Sequence, residues 1–390
     1  MCDETGLTSQ LWPAHLKPKA DELLSSWLVR LSMAHGQKLH TFCAVEWPGR
    51  AIWNRDVDKS ACAEILYVLS NKTATPIDRV RVTTLAAYEG VLYERHNHFG
   101  PNSWIMPVGV YHRKRERFGL QYCPRCLAED GEPYFRRRWR LAFVVICEKH
   151  QMQLNDRCPQ CGAAINFHRD ELGRFSKHAP TSMTICPTCS YDLKTNLNTI
   201  AAPATAAEVD FVKKLLKALT DGFIEVNNNV VTYSHLFFSG LRQMMKILGM
   251  RNKRIGELRH HISNCHGVEI YLSSPETKRQ DIQEQNVAQR RQLLGLAQCL
   301  LDEWPDKFIA LSQKHQIWSS IWLRHLESGS RERSQTTPFW YWKVVREYLY
   351  IPHYQPSDSE IRAAIKYMEQ NHKIYSKSSL ARLLGVSAIR

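Results

Sequence analysis

The stretch that decides how this chain is read is Cys123-Pro-Arg-Cys126, Cys147-Glu-Lys-His150, Cys158-Pro-Gln-Cys161-Gly162 and Cys186-Pro-Thr-Cys189. It holds eight potential ligands in four knuckles, each with two ligands three positions apart. Zn²⁺ takes four soft ligands tetrahedrally, and a Cys-x-x-Cys turn supplies two of them with little strain. The order predicts two closed sites. One is Cys₃His (Cys123, Cys126, Cys147, His150) and the other Cys₄ (Cys158, Cys161, Cys186, Cys189). The knuckles of each site are separated by residues 127–146 and 162–185, at or slightly beyond the usual zinc-ribbon range. Only residues 151–157 separate the two sites, so a single rigid unit is expected. The alternative is a disulfide framework, which four ligand pairs in under seventy residues make the weaker reading. The other cysteines (Cys2, Cys43, Cys62, Cys265, Cys299) are scattered in apolar or helical contexts and read as ordinary thiols.

At 390 residues the chain is long enough for two to four domains, and 44% apolar residues is a globular composition. No apolar run is long enough for a membrane span, and no basic-then-apolar leader opens the sequence. A soluble protein of a reducing compartment, the cytoplasm, is the expectation. The formal charge is +14; two zinc ions with seven thiolates would bring it to about +11. A charge of that size favours a polyanionic partner, most simply nucleic acid, over a protein that is merely basic and soluble.

Near the N-terminus, Asp21-Glu22 reads as the acidic first turn of a helix. Leu23, Leu24, Trp27, Leu28, Leu31 and Ala34 form its apolar face, and Gly36 stops it. Further helices are expected over Lys59–Ser70 and Arg79–Tyr93. Together these read as a small helical domain, compatible with a helix-turn-helix.

The stretch Asp21-Glu22-Leu23-Leu24-Ser25-Ser26-Trp27-Leu28-x-Arg30-Leu31, ending in His35-Gly36, resembles the N-terminal motif of the TniQ/TnsD family of transposon target-selection proteins. "YCPRCL", Tyr134, "WRLAFVVICEKHQMQL" and "CPQCG" resemble the zinc segment of the same family, and "LLDEWPDKF" (Leu300 to Phe308) matches more loosely. The resemblance covers roughly the first half of the chain. It implies an N-terminal helix-turn-helix, a double zinc module with two structural Zn²⁺, a helical C-terminal part and no catalysis. It also implies an adaptor between a target recogniser and the transposon's AAA+ ATPase regulator and transposase. In one branch the recogniser is the protein's own DNA contact. In another it is a CRISPR effector ribonucleoprotein, to which the protein docks as a homodimer.

Two basic runs accompany the zinc segment. Arg113-Lys114-Arg115-Glu116-Arg117 precedes it, and Arg136-Arg137-Arg138-Trp139-Arg140 lies inside it. Arginines beside Tyr134, Phe135 and Trp139 suit a phosphate-binding surface. The competing reading is an Arg-rich segment whose stems pack on aromatics with solvated heads. Further on, Arg251-Asn252-Lys253-Arg254 follows an amphipathic segment. Its Arg251, Lys253 and Arg254 read equally as phosphate contacts or as a cap on the helix C-terminus.

Past the small-residue linker Ala201–Ala207 the pattern is helical. "EVDFVKKLLKALTDGF" carries Phe211, Leu215, Leu216 and Leu219 as an apolar stripe. "HLFFSGLRQMMKILGMRNKR" is a second amphipathic segment, with Gly249 marking a turn between helices and Arg251-Asn252-Lys253-Arg254 as its basic tail. Residues 286–325 are helical with Trp304, Trp318 and Trp322. "TTPFWYWKVVREYLY" is dense in aromatics, which favours core over interface. Ser357 can cap a helix over Glu360–Asn371. Leu380-Ala381-x-x-Leu384-Gly385-Val386-Ser387 then follows a helix-turn-helix pattern, with Gly385 at the turn and Ser387 capping the recognition helix. Only three residues follow Ser387, too few to supply many base-reading side chains.

Each predicted zinc has a full set of protein ligands, so neither site offers the open position metal hydrolysis needs. No Gly-rich Lys-Ser/Thr phosphate loop is present, which argues against an ATPase. The expected fold is mainly α and multidomain. Residues 1–118 form an N-terminal helical, helix-turn-helix-like domain and 119–200 a double zinc-ribbon/zinc-finger module. Residues 201–352 are a helical domain and 353–390 a partial helix-turn-helix. The expected function is target-selection adaptor, against an autonomous sequence-specific DNA-binding selector or a zinc-containing transcription regulator.

Overall fold

The computed structural model describes residues 11–169, 182–195, 203–227, 230–266, 281–324, 337–350 and 356–386. Helices dominate, and the strands form three two-stranded antiparallel ribbons among the described residues. The fold class is mainly α, as expected.

The central helix is Leu24–Ala34, with Leu24 to Ser32 all buried. Its first amides are satisfied from elsewhere in the chain. Leu24 N–H donates to the Thr83 carbonyl (3.0 Å), and Ser25 N–H donates to Asp58 Oδ1 (2.7 Å). A carboxylate there suits both the unpaired N–H groups and the helix dipole. Asp21 and Glu22 are therefore not the acidic first turn. Asp21 takes a left-handed φ of 55° before the helix, and both residues are bound to arginines. Gly36 (φ 63°) ends the helix, and a second helix follows at Leu39–Glu46.

The expected helices at Lys59–Ser70 and Arg79–Tyr93 differ from those observed. The first is Ala63–Thr73, preceded by the short turn Val57–Ser60. The second stops at Arg81, and a 3₁₀ turn follows at Leu85–Tyr88. Thr83 and Thr84 turn their hydroxyls back onto the Val80 and Arg81 carbonyls, which competes with continued helix.

In the later half, Thr205 and Glu208 form a capping box on helix Ala206–Asp221, so the expected linker closes on a helix start. Helix Ser234–Leu248 and helix Val287–Leu301 pack together, and Asp306–Lys314, Ser319–Trp322 and Phe339–Tyr348 follow. The ribbon Phe223–Asn227 with Val230–Tyr233 was not anticipated from the sequence. Nor did Lys253 and Arg254 prove to be a tail: they open helix Lys253–His266, capped by the Asn252 side chain. Arg259 is the residue that reaches back to cap the preceding helix, donating to the carbonyls of Leu248 (2.7 Å) and Met250 (3.0 Å).

One hydrophobic cluster runs from Trp12 to Leu349 and crosses positions 118 and 200 without a break. Trp104 Nε1 donates to the Phe238 carbonyl at 3.0 Å, and the Phe143 and Phe238 rings stack at 4.9 Å. Buried Arg290 donates to the Ala142 carbonyl (2.7 Å) and Gln121 Oε1 (3.0 Å). The C-terminal helices Asp358–Gln370 and Lys377–Leu383 have their own small core of Ala364, Met368 and Leu380. Ser357 caps the first with Glu360, as expected, and Gly385 has φ 68°. Ser387 and the expected recognition helix lie outside the described residues.

Of the dense aromatics at 337–350, Trp340 and Tyr341 are core, whereas Phe339, Trp342, Tyr348 and Tyr350 are exposed. Among the described residues no helix is long and apolar enough to cross a membrane.

Candidate metal centres and the arginine scaffold

The first ligand set comes from two local elements. Cys123 precedes the short helix Pro124–Glu129, whose Pro124 starts the turn that brings Cys126 alongside. Cys147 ends strand Ile146–Cys147, paired with Met152–Gln153, and His150 sits in the intervening turn. Cys126 Sγ and Cys147 Sγ are 3.6 Å apart. His150 Nδ1 lies 3.3 Å from the sulfurs of Cys123 and Cys126 and 3.5 Å from that of Cys147. A zinc ion bound at about 2.3 Å to sulfur and about 2.0 Å to nitrogen spaces tetrahedral ligand atoms about 3.5–3.8 Å apart. The set therefore fits the ion. His150 Nε2 lies 2.8 Å from Glu129 Oε1, which fixes the imidazole with Nδ1 free to ligate.

The three thiols of this site share hydrogen bonds. Those from Cys123 and then Cys126 lower the Cys147 thiol below its ordinary range, and a bound zinc ion would take all three as thiolates.

In the second set, Cys158 and Cys189 sulfurs are 3.6 Å apart and those of Cys161 and Cys186 3.7 Å apart. Both knuckles are closed by backbone bonds. Gly162 N–H donates to the Cys158 carbonyl, and Cys186 N–H donates to the Tyr191 carbonyl. Gly162 takes φ 71°, a conformation its missing Cβ permits. A disulfide needs sulfurs about 2.05 Å apart; all the cysteines described are free. Both groups of four could hold a metal ion. The first is buried at all three sulfurs, whereas Cys161 of the second is exposed.

The Arg136–Arg140 run, expected to present phosphate contacts, is turned inward. Arg140 is completely buried, donating to Asp56 Oδ2 (2.6 Å), Asp58 Oδ2 (3.3 Å) and the Met106 carbonyl (2.9 Å). Arg115 joins the same cluster through Asp58 Oδ2 at 3.3 Å and is also buried. Ser25 Oγ donates to Asp58 at 2.9 Å. Burial works to raise the Asp56 carboxyl, but the charge and hydrogen bonds of Arg140 outweigh it and hold it below the ordinary range.

The neighbouring arginines are paired too. Arg136 pairs with Asp130 at 2.9 Å and lies over the Tyr134 and Trp139 rings. Arg137 and Arg138 both reach Asp21, at 3.4 and 3.0 Å, and Arg138 also bridges to Glu148. A phosphate would have to displace these carboxylates. Arg115, Arg136, Arg137 and Arg140, read from the sequence as polyanion contacts, are thus held in carboxylate pairs, and Arg138, about a third exposed, is bridged twice.

A second buried network joins the same two regions. Arg30 bridges Glu22 and Glu132, both at 2.7 Å, and Ser26 Oγ donates to Glu22 while accepting Phe135 N–H. The N-terminal helix motif and the first metal centre are thus parts of one packed unit.

Other expected cations are exposed. Arg117 is bridged to Glu284. Arg251 and Lys253 lie at the surface, as does Arg254, which donates to the Gln316 carbonyl. Arg113 and Lys114 are exposed at the hairpin Val110–Tyr111 with Lys114–Arg115. Its two turn residues, His112 (φ 44°) and Arg113 (φ 62°), are both left-handed. Such turns favour Asn-Gly, and a bulky residue there costs about 1–3 kcal/mol.

A mainly helical protein with two groups of four Cys/His ligands that could each hold a metal ion, the first locked to a buried N-terminal motif, is the class the structure defines. Residues 13–154 match the TniQ family model, which ends between the two ligand sets and includes the first in full. Over those residues the chain carries a TniQ domain. A TniQ domain marks a transposon-associated target-selection protein. No curated protein matches the chain.

Proposed function

We propose that this chain is a non-catalytic target-selection adaptor of a DNA transposon. It links a guide-RNA CRISPR effector ribonucleoprotein to the transposon's AAA+ ATPase regulator and transposase, and docks as a homodimer. Two structural zinc ions, at Cys123/Cys126/Cys147/His150 and Cys158/Cys161/Cys186/Cys189, hold its centre. Each site closes with four protein ligands, which suits structure and leaves no position for a reacting water.

The observation that carries this reading is the TniQ match over residues 13–154, on a domain whose motif residues face inward. With Glu22, Arg30, Asp58 and Arg140 buried in one scaffold, recognition falls to the outer surfaces. The exposed aromatics Phe223, Tyr233, Phe339 and Trp342 suit protein partners.

The second reading, direct sequence-specific DNA binding, is favoured by the separate C-terminal pair of helices with its own core. Copurification separates the two. The adaptor reading expects the chain to be retained by the guide-RNA effector complex. Sequence-specific duplex binding that survives random competitor DNA, with no RNA-guided partner present, would place it with the direct readers.

A further inference from the structure

We infer that the tip of the 110–115 hairpin, with Arg169 and His40 beside it, is a contact surface for the phosphodiester backbone of a nucleic acid. The inference deepens the target-selection reading. Its test uses purified chain alone, so it fails or succeeds separately from any partner complex.

The tip is held in its left-handed turn by one short segment, Asn166 to Arg169, lying between the two knuckles of the second metal centre. Arg169 Nη1 donates to the His112 carbonyl at 2.9 Å. His168 Nε2 donates to the Arg113 carbonyl at 2.9 Å. Asn166 accepts the Arg115 N–H (2.6 Å) and donates to the Arg115 carbonyl (2.9 Å). His168 is itself fixed, buried and stacked on Trp53 at 4.9 Å with 9° between the planes. Three side chains thus pin a turn whose residues disfavour it. The result is to hold two cations, Arg113 and Lys114, outward on a rigid point.

These cations differ from the Arg136–Arg140 run in their partners. Among the described residues Arg113, Lys114 and Arg169 form no ion pair with a carboxylate. Arg113 reaches only the Asn54 side-chain oxygen at 3.4 Å, and Arg169 only a backbone carbonyl. The surplus positive charge is felt next door. Burial, then Arg113, then Arg169, push His40 down to about 4, and His40 Nε2 and His168 Nδ1 are buried without a hydrogen-bond partner. Fixed cations with no carboxylate partner among the described residues, beside an imidazole kept neutral by burial first and by them second, make a site that an anion completes.

A nucleic acid suits it better than an acidic peptide. Next to Asn54, Arg55 lies over the Phe99 ring at 4.8 Å, and that ring is 75% exposed. An exposed aromatic with a guanidinium on its face is a platform on which bases stack.

The test is fluorescence anisotropy of the full chain against a short random duplex DNA, a stem-loop RNA and polyglutamate, across a salt series. Replacing all three cations (R113Q/K114Q/R169Q) should reduce the salt slope by about 0.9 per lost contact on duplex DNA and about 0.7 on single strands. Affinity near physiological salt should fall at least about tenfold. If the triple variant melts early, Lys114→Gln alone carries the test, with a loss of about one slope unit. A loss on DNA only, or on RNA only, supports the inference and names the source of the phosphates. Unchanged slope and affinity on both nucleic acids would overturn it. So would polyglutamate binding as tightly as nucleic acid with the same loss in the variant.

Discussion

Arg113–Arg117 and Arg136–Arg140 look alike as sequence, yet only the first keeps cations, Arg113 and Lys114, with no carboxylate partner among the described residues. In the second run every arginine but Arg138 is largely buried, and each has a carboxylate partner: Asp130 and Glu148 from nearby in the chain, Asp21, Asp56 and Asp58 from distant parts of it. In the first, Arg115 is drawn into that network, while Arg113 and Lys114 stay outside with no acidic partner among the described residues. What separates a scaffold from a surface is therefore the position of the acids, not the density of the bases. Buried guanidinium–carboxylate clusters fix geometry, because each lost partner leaves an uncompensated charge in a low-dielectric interior.

Variants can break that contrast, and the largest effect is expected at Arg140. Arg140→Ala takes from Asp56 its only ion-pair partner among the described residues and leaves Asp58 to Arg115 alone. It should destabilise the fold by about 3–5 kcal/mol, read as a lowered urea midpoint. A midpoint unchanged in Arg140→Ala would mean the cluster is not the scaffold described.

An intermediate effect is expected where an ion pair is only partly covered. Glu208 holds Arg291 through two bonds, at 2.7 and 2.8 Å, and completes the capping box on helix Ala206–Asp221. Glu208→Ala should cost about 1.5–3 kcal/mol at neutral pH. Burial would raise the Glu208 carboxyl, but Arg291 holds it below its ordinary value of 4.5. A lowered pKa gives stability that is present above the unfolded value and lost as pH falls through the folded one. The gap between wild type and variant should accordingly shrink below pH 4.5, which urea melts at several pH values would reveal.

The smallest effect is expected at the tip. Arg113→Gln should change stability by no more than about 0.5 kcal/mol, since the side chain is exposed and forms no ion pair among the described residues. A large loss there would erase the distinction between the two runs.

The metal centres were legible in the sequence because their ligands come in local pairs, three positions apart, and a knuckle carries its own geometry. Helix Leu24–Ala34 was legible for a similar reason, since a run of apolar residues at helical spacing needs no distant partner. The acidic pair before it misled: Asp21 and Glu22 look like a first turn, yet their arginine partners include residues more than a hundred positions away. The same distance hid the fate of Arg140, whose acids lie at 56 and 58. Capping by Arg259 depends on how two helices meet, which no local pattern encodes, whereas the ribbon after Gly222 has a local signature, β-branched and aromatic residues on either side of an asparagine run. The left-handed turn at His112-Arg113 lacks the Asn-Gly that would have announced it.

The most direct test of the account is the metal content of the full chain, purified without chelator, by elemental analysis. The ligand spacings predict two zinc ions per chain, and their removal by a strong chelator should unfold the region around Cys123–Cys189, because binding energy at such sites is folding energy. A chain that holds no zinc and remains folded would contradict it.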